Sequence, residues 1–125
     1  MRNAVAVVLL IWASLCHADE PPVPLQSGTY EFQWKDAEFS SSAGFPVKVV
    51  IEGRRVSVVK EHAGGAAPQG ELEVAELMWN TKVGKWVLGY SDADKIAPDP
   101  GGCSGEGPHV IDFETRVIWN CEWGP

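Results

Sequence analysis

The sequence predicts an all-β domain. It is a small antiparallel meander of about six or seven strands that closes as a barrel or a strongly curled sheet, with a β-sandwich as the alternative. Three observations carry this. Apolar and polar side chains alternate with a period of two in most stretches beyond residue 28, and no stretch has the length and 3.6-residue rhythm of a helix. Two short turns also set strand registers in which apolar faces meet on both sides. The alternation is clearest from Val110 to Trp123. There Ile111, Phe113, Val117, Trp119, Cys121 and Trp123 share one parity, interrupted by Thr115. Read as one strand, this puts Cys121 on the buried face. A bend near Thr115 and Arg116 would instead divide it and raise the strand number to seven.

Residues 1–18 read as an export signal. Met1-Arg2-Asn3 is a short basic opening, Ala4 to Ala13 is uncharged and apolar, and Ala18 offers a small residue for cleavage. The apolar run is about half of the roughly 20 residues that a membrane-spanning helix needs. A retained anchor and a lipid on Cys16 are the alternatives. Bulky Leu15 before Cys16 disfavours the second. The expected location is periplasmic or secreted, with no membrane association after cleavage.

Cleavage after Ala18 leaves 125 − 18 = 107 residues, enough for one domain with a single modest core. The expected organisation is the signal at 1–18, a flexible proline-rich leader at 19–27 and one all-β domain at 28–125. Arg2 leaves with the signal, so nine Lys+Arg face 17 Asp+Glu, for a net charge of −8. That balance argues against nucleic acid and anionic membranes as partners, since both call for basic patches. Two cysteines remain, Cys103 and Cys121. In an oxidising compartment they are expected to form one disulfide, worth about 3 kcal/mol for a loop of this size.

Taken in order, the leader from Asp19 holds three prolines before Gln26 and is expected to be extended and mobile. Thr29 to Lys35 is a strand with Tyr30, Phe32 and Trp34 on one face. Asp36 and Glu38 fall on the same parity, so either the strand ends there or two carboxylates point inward. Ser40 to Gly44 is a flexible connection. Pro46 to Lys60 is a hairpin about Gly53-Arg54, where glycine in the first position suits a type II′ turn. Its register sets Ile51 against Val56, Val49 against Val58, and Glu52 against Arg55 as a cross-strand ion pair.

His62 to Gly70 is loop by composition. Leu72 and Val74 differ in parity from Leu77 and Trp79, which calls for a bulge near Ala75-Glu76 or one helical turn; a strand is expected from about Glu76. After the turn Thr81 to Gly84, Lys85 to Tyr90 returns with Trp86 opposite Trp79 and Leu88 opposite Leu77. Ser91 to Pro108 is a long connection with a possible helical turn at Asp92 to Ile96, capped by Ser91. The disulfide should tie it to the last strand as a flap across one end of the sheet.

No chemistry-bearing motif stands out. Asp92, Asp94 and Asp99 do not fit a calcium loop, because Ile96 and Cys103 occupy positions that need oxygen ligands. Cys103, Cys121 and His109 do not make a tetrahedral metal set. His62 and His109 border strands, yet no serine lies on a nucleophile turn. No catalytic residue, cofactor or metal is therefore expected, and the protein is expected not to be an enzyme.

The tryptophans Trp34, Trp79, Trp86, Trp119 and Trp123 either fill a small barrel or line a cavity. The candidate binding surface comprises Trp123, Arg54, Arg55 and Trp86, with Trp123 near a barrel mouth and the arginines on a hairpin tip. The expected role is an exported, non-catalytic protein-binding module of inhibitor or immunity type, with a basic exported protein as partner. The alternative is a calycin-like carrier of a small apolar or sugar ligand. In general build (export signal, size, one late disulfide, acidic balance) the chain resembles the small exported β-barrel inhibitors of lysozyme made by bacteria. That resemblance carries no individual residue over.

Overall fold

The period-two alternation resolves into seven strands: β1 (Gly28–Asp36), β2 (Phe45–Glu52), β3 (Arg55–Lys60), β4 (Gly70–Asn80), β5 (Lys85–Gly89), β6 (His109–Asp112) and β7 (Val117–Asn120). The structure is a computed structural model that describes residues 20–103 and 107–122. The strands follow one another around a closed barrel. Successive strands are antiparallel. β7 closes on β1 in parallel, because an up-and-down meander with an odd strand number brings its first and last strands round in the same direction. The residues of the expected export signal and Trp123 lie outside the described residues.

Both predicted hairpins hold to the residue. Ile51 faces Val56 and Val49 faces Val58; Leu77 faces Leu88 and Trp79 faces Trp86. Gly53 takes φ +63° while Arg54 stays out of the left-handed region, as a type II′ turn requires. Glu52 and Arg55 are opposite each other but form no ion pair. Instead Arg54 holds Glu20 at 2.6 Å.

The barrel interior is filled. Phe32, Trp34, Val47, Val49, Ile51, Val56, Val58, Leu77, Trp86, Leu88, Ile111 and Ile118 form one cluster. Val49, Val56, Val58, Leu88 and Ile118 are fully buried, so no space that admits water touches them. Seven strands enclose a section that side chains can fill, and large aromatics do so here.

The final stretch bends as the seven-strand alternative has it, and departs from the single-strand reading in which side chains face inward. It is two strands joined by a turn at residues 113–116, where Arg116 takes φ +58°. Ile111 and Ile118 lie directly opposite and both point inward. An odd separation between two inward residues slips the rhythm by one, so Val117 and Trp119 fall on the outer side of the wall and Cys121 is exposed. Both outer residues are nonetheless covered. Val117 is buried, and Trp119 packs with Met78, Val87 and Val110 in a second cluster outside the barrel.

Three further expectations change. β4 begins at Gly70 rather than Glu76. Its bulge falls at Leu72, skipped where Val58 pairs with Glu73 and Val59 with Glu71, which turns Glu73, Ala75 and Leu77 inward. The leader over residues 20–27 is packed rather than free: Val23 and Leu25 lie against the core, and Ser27 Oγ accepts the Gly53 N–H at 2.9 Å.

The long connection does not lie across the barrel end. It runs back along the outer wall, with a 3₁₀ helix at Asp92–Ile96 packed on β4 and β5. Buried Asn80 holds it there, donating from Nδ2 to the carbonyls of Asp94 and Ala97, both at 2.9 Å. The start of that helix is secured by Asp94, whose carboxylate accepts the N–H of Tyr90 at 2.7 Å.

Candidate functional site

An up-and-down barrel gathers alternate connections at opposite ends. The tight turns at 53–54, 81–84 and 113–116 share one end with the leader. The connections 37–44, 61–69 and 90–108, and the chain after β7, leave from the other. The buried ionisable side chains among the described residues, Asp36, Lys60 and Glu73, lie at this second, loop end.

Its centre is Glu73. The Leu72 bulge turns this carboxylate inward at the point where the β4–β5 ladder stops, after Glu76–Gly89. The side chain is almost fully buried, and its two oxygens take two partners. Oε1 lies 2.9 Å from Nδ1 of His109, and Oε2 accepts the Tyr90 hydroxyl at 2.5 Å. Side-chain bonds thus replace the missing ladder. Tyr90 precedes the long connection and His109 follows it, so one carboxylate clasps both ends of residues 91–108.

Burial of the imidazole opposes its charge. The Glu73 hydrogen bond and the charges of Glu73 and Glu122 outweigh that, and the His109 pKa is raised. The Tyr90 phenol is pushed well above its ordinary range by desolvation, by its bond to Glu73 and by the surrounding carboxylates Glu73, Glu122 and Asp94. The Trp34 indole and the His109 ring meet in a T-shaped contact with centroids 5.3 Å apart.

The disulfide Cys103–Cys121 stands at the same end, with its Cα atoms 5.3 Å apart, and pins the connection to the segment after β7. Asp36 ends β1 beside it. Asp36 is buried, and its Oδ1 accepts the N–H groups of Glu38 and Phe39 at 2.8 and 3.3 Å, which resolves the two-carboxylate ambiguity as a strand end with Glu38 in solvent. Asp36 and both sulfurs fall within 4.8 Å of one another. The sulfurs are bonded to each other and the carboxylate closes a turn, so the grouping is structural. Buried Lys60 directs its ammonium to the carbonyls of Gly64 and Ala67, under the 61–69 loop.

Of the surface residues proposed from sequence, Arg54 and Trp86 are brought together at the turn end, the guanidinium 6.0 Å above the indole. Trp86 is buried, because it plugs the barrel mouth edge-on to Trp79 and Phe113. Arg55 is exposed and lines a groove that reaches Tyr90. His62 is exposed near Lys48 and Glu61 and is not among the partners of Glu73.

Among the described residues, the charged groups within ion-pairing distance of His109 are the carboxylates Glu73 and Glu122, at 2.9 and 3.8 Å. This arrangement orients an imidazole and holds its charge; among the described residues, no serine, threonine or cysteine side chain is hydrogen-bonded to it. Sequence reasoning missed Glu73 and Tyr90, because a glutamate in an alternating strand reads as solvent-facing unless the bulge beside it is known.

Comparison of the chain with protein-family models, with curated proteins and with solved structures finds no match.

Proposed function

We propose that this protein is an exported, non-catalytic module of inhibitor or immunity type that binds a basic protein partner through the loop end of the barrel. The observation that carries this reading is the separation of charge along the barrel axis. Arg54, Arg55, Lys82, Lys85 and Arg116 belong to the turn end. The loop end carries exposed Glu38, Glu61, Glu71 and Glu122, while its Lys60 is buried on carbonyls and Lys48 is engaged by Glu61 at 3.1 Å. Glu20, Glu52, Asp112 and Glu114 sit among the turn-end cations and nearly balance them, so the excess of negative charge lies toward the loop end, where Lys35 stands over the Trp119 ring. Exposed Phe39 and Tyr90 accompany that excess, and complementary charge of this kind steers and orients a basic partner.

Two further features support the reading. The connection is held at Asp94 and Ala97 by Asn80, at Cys103 by the disulfide and at its flanks by Glu73, so little ordering of its described residues remains to be done on binding. Among the described residues the interior is filled by side chains, whereas a carrier needs a cavity of about 300 Å³ or more.

Calorimetric titration against strongly basic exported enzymes, lysozyme among them, with an acidic protein as control, tests the proposal. Binding that weakens steeply with salt and is lost in a Glu38→Lys/Glu71→Lys variant is expected. Equal affinity for acidic and basic proteins, or none for either, would overturn it.

A further inference from the structure

Tyr90 is 66% exposed, yet the residue is fixed at both ends. Its hydroxyl is bonded to buried Glu73 and its N–H to Asp94 at 2.7 Å. Glu73 is braced in turn by His109. The ring therefore stands out from the surface with its orientation already set. The charges of Glu73, Asp94 and Glu122 act on it, all negative. Beside it runs an open groove of about 510 Å³, floored by Val74, Ala75 and Gly89 and edged by Glu76. Arg54 and Arg55 close the groove on its β3 side, where Glu20 already engages Arg54.

We propose that Tyr90 is the aromatic anchor of the binding face, and that an arginine or lysine side chain on an extended segment of the basic partner stacks on its ring. The inference rests on the function proposed above and names its principal contact. The negative face of the ring attracts a cation, and the flanking carboxylates add to that attraction. Tethering the hydroxyl removes rotamer entropy before the partner arrives. Tyrosines in such positions dominate binding energy at protein interfaces. Glu73 and His109 act here as positioning residues, holding the ring rather than touching the partner.

The test uses a short oligoarginine peptide as probe, with oligoglutamate as control, titrated into the isotopically labelled protein. The Tyr90 ring resonances are expected to shift on addition of oligoarginine alone. Tyr90→Ala should weaken binding roughly tenfold. Tyr90→Phe keeps the ring and loses the tether, and should weaken it by only about two- to threefold. Unmoved Tyr90 resonances in a wild-type protein that binds the peptide would overturn the anchor and leave the acidic face standing, a result independent of whether any variant folds. Failure of the wild type to bind either oligoarginine or basic proteins would remove both.

Discussion

Glu73 Oε1 lies 2.9 Å from Nδ1 of His109, across the place where β5 has already ended and β6 is about to begin. A carboxylate on one strand and an imidazole on the next but one bridge a gap that backbone hydrogen bonds do not span. Glu73 is buried and His109 largely so, and the charge state of the pair is therefore tied to the folding of the loop end.

The first prediction concerns pH. The His109 pKa is raised in the folded state, so its stabilising contribution is complete below the ordinary histidine value of about 6.5 and is lost as pH rises through the raised folded value. Urea unfolding followed at intervals from pH 6 upward should show stability declining above that ordinary value. The decline should be flatter in His109→Gln. Identical pH profiles for the two proteins would exclude His109 as its source.

Glu73→Gln should destabilise the protein by about 2–4 kcal/mol, since it removes the charge that faces His109 and weakens the acceptor of the Tyr90 hydroxyl. Hydrogen exchange should rise first at residues 89–110, the segment whose two ends the carboxylate clasps. Uniform loss of protection over the whole barrel would mean that Glu73 is a core residue with no particular hold on the connection.

Removing the disulfide with Cys103→Ser/Cys121→Ser should cost about 3 kcal/mol for a bridge separated by 18 residues. The chain should remain folded, because the Asn80 and Glu73 bonds to the connection survive. Proteolysis near Cys103 is expected to accelerate, with the seven strands still protected.

The slipped parity of the last hairpin gives a direct test of the fold. Ile118→Ala should cost about 2–5 kcal/mol because Ile118 is fully buried inside the barrel. Trp119→Ala opens the outer cluster alone, should cost less, and should loosen the packing of Met78, Val87 and Val110 around it. The opposite ranking in thermal melts would restore the uninterrupted strand that the alternation suggests.

Asn80→Ala leaves four backbone groups without the partners that Asn80 now supplies, the carbonyls of Asp94 and Ala97 and the N–H groups of Lys82 and Val83. Part of this is regained from water at the exposed turn, so a loss of about 1–3 kcal/mol is expected. It should be accompanied by release of the Asp92–Ile96 helix from β4 in hydrogen exchange.

The fold class, both hairpin registers, the Gly53 turn, the Cys103–Cys121 pairing and the short helix after Ser91 were legible in the chain. Each rests on neighbours in sequence, on turn chemistry or on counting cysteines, and local rules are sufficient there. The strand directions followed from the meander once its strand number was known. The errors of side-chain parity share one cause. At Leu72 and again at residues 113–116 a single extra or turned residue reverses which side faces inward, and alternation alone does not locate such a slip. With the first slip went Glu73, and with Glu73 the clasp on Tyr90 and His109. With the second went the side of the wall on which Trp119 and Cys121 lie.

What the residues state locally is a ribbon with one oily side, its turns and its single cross-link. Which carboxylate enters the interior, which tryptophan leaves it, and which end collects the negative charge depend on closure of the barrel. Closure brings together strands far apart in sequence, and only there do burial and charge decide between registers that are equally good for each strand alone.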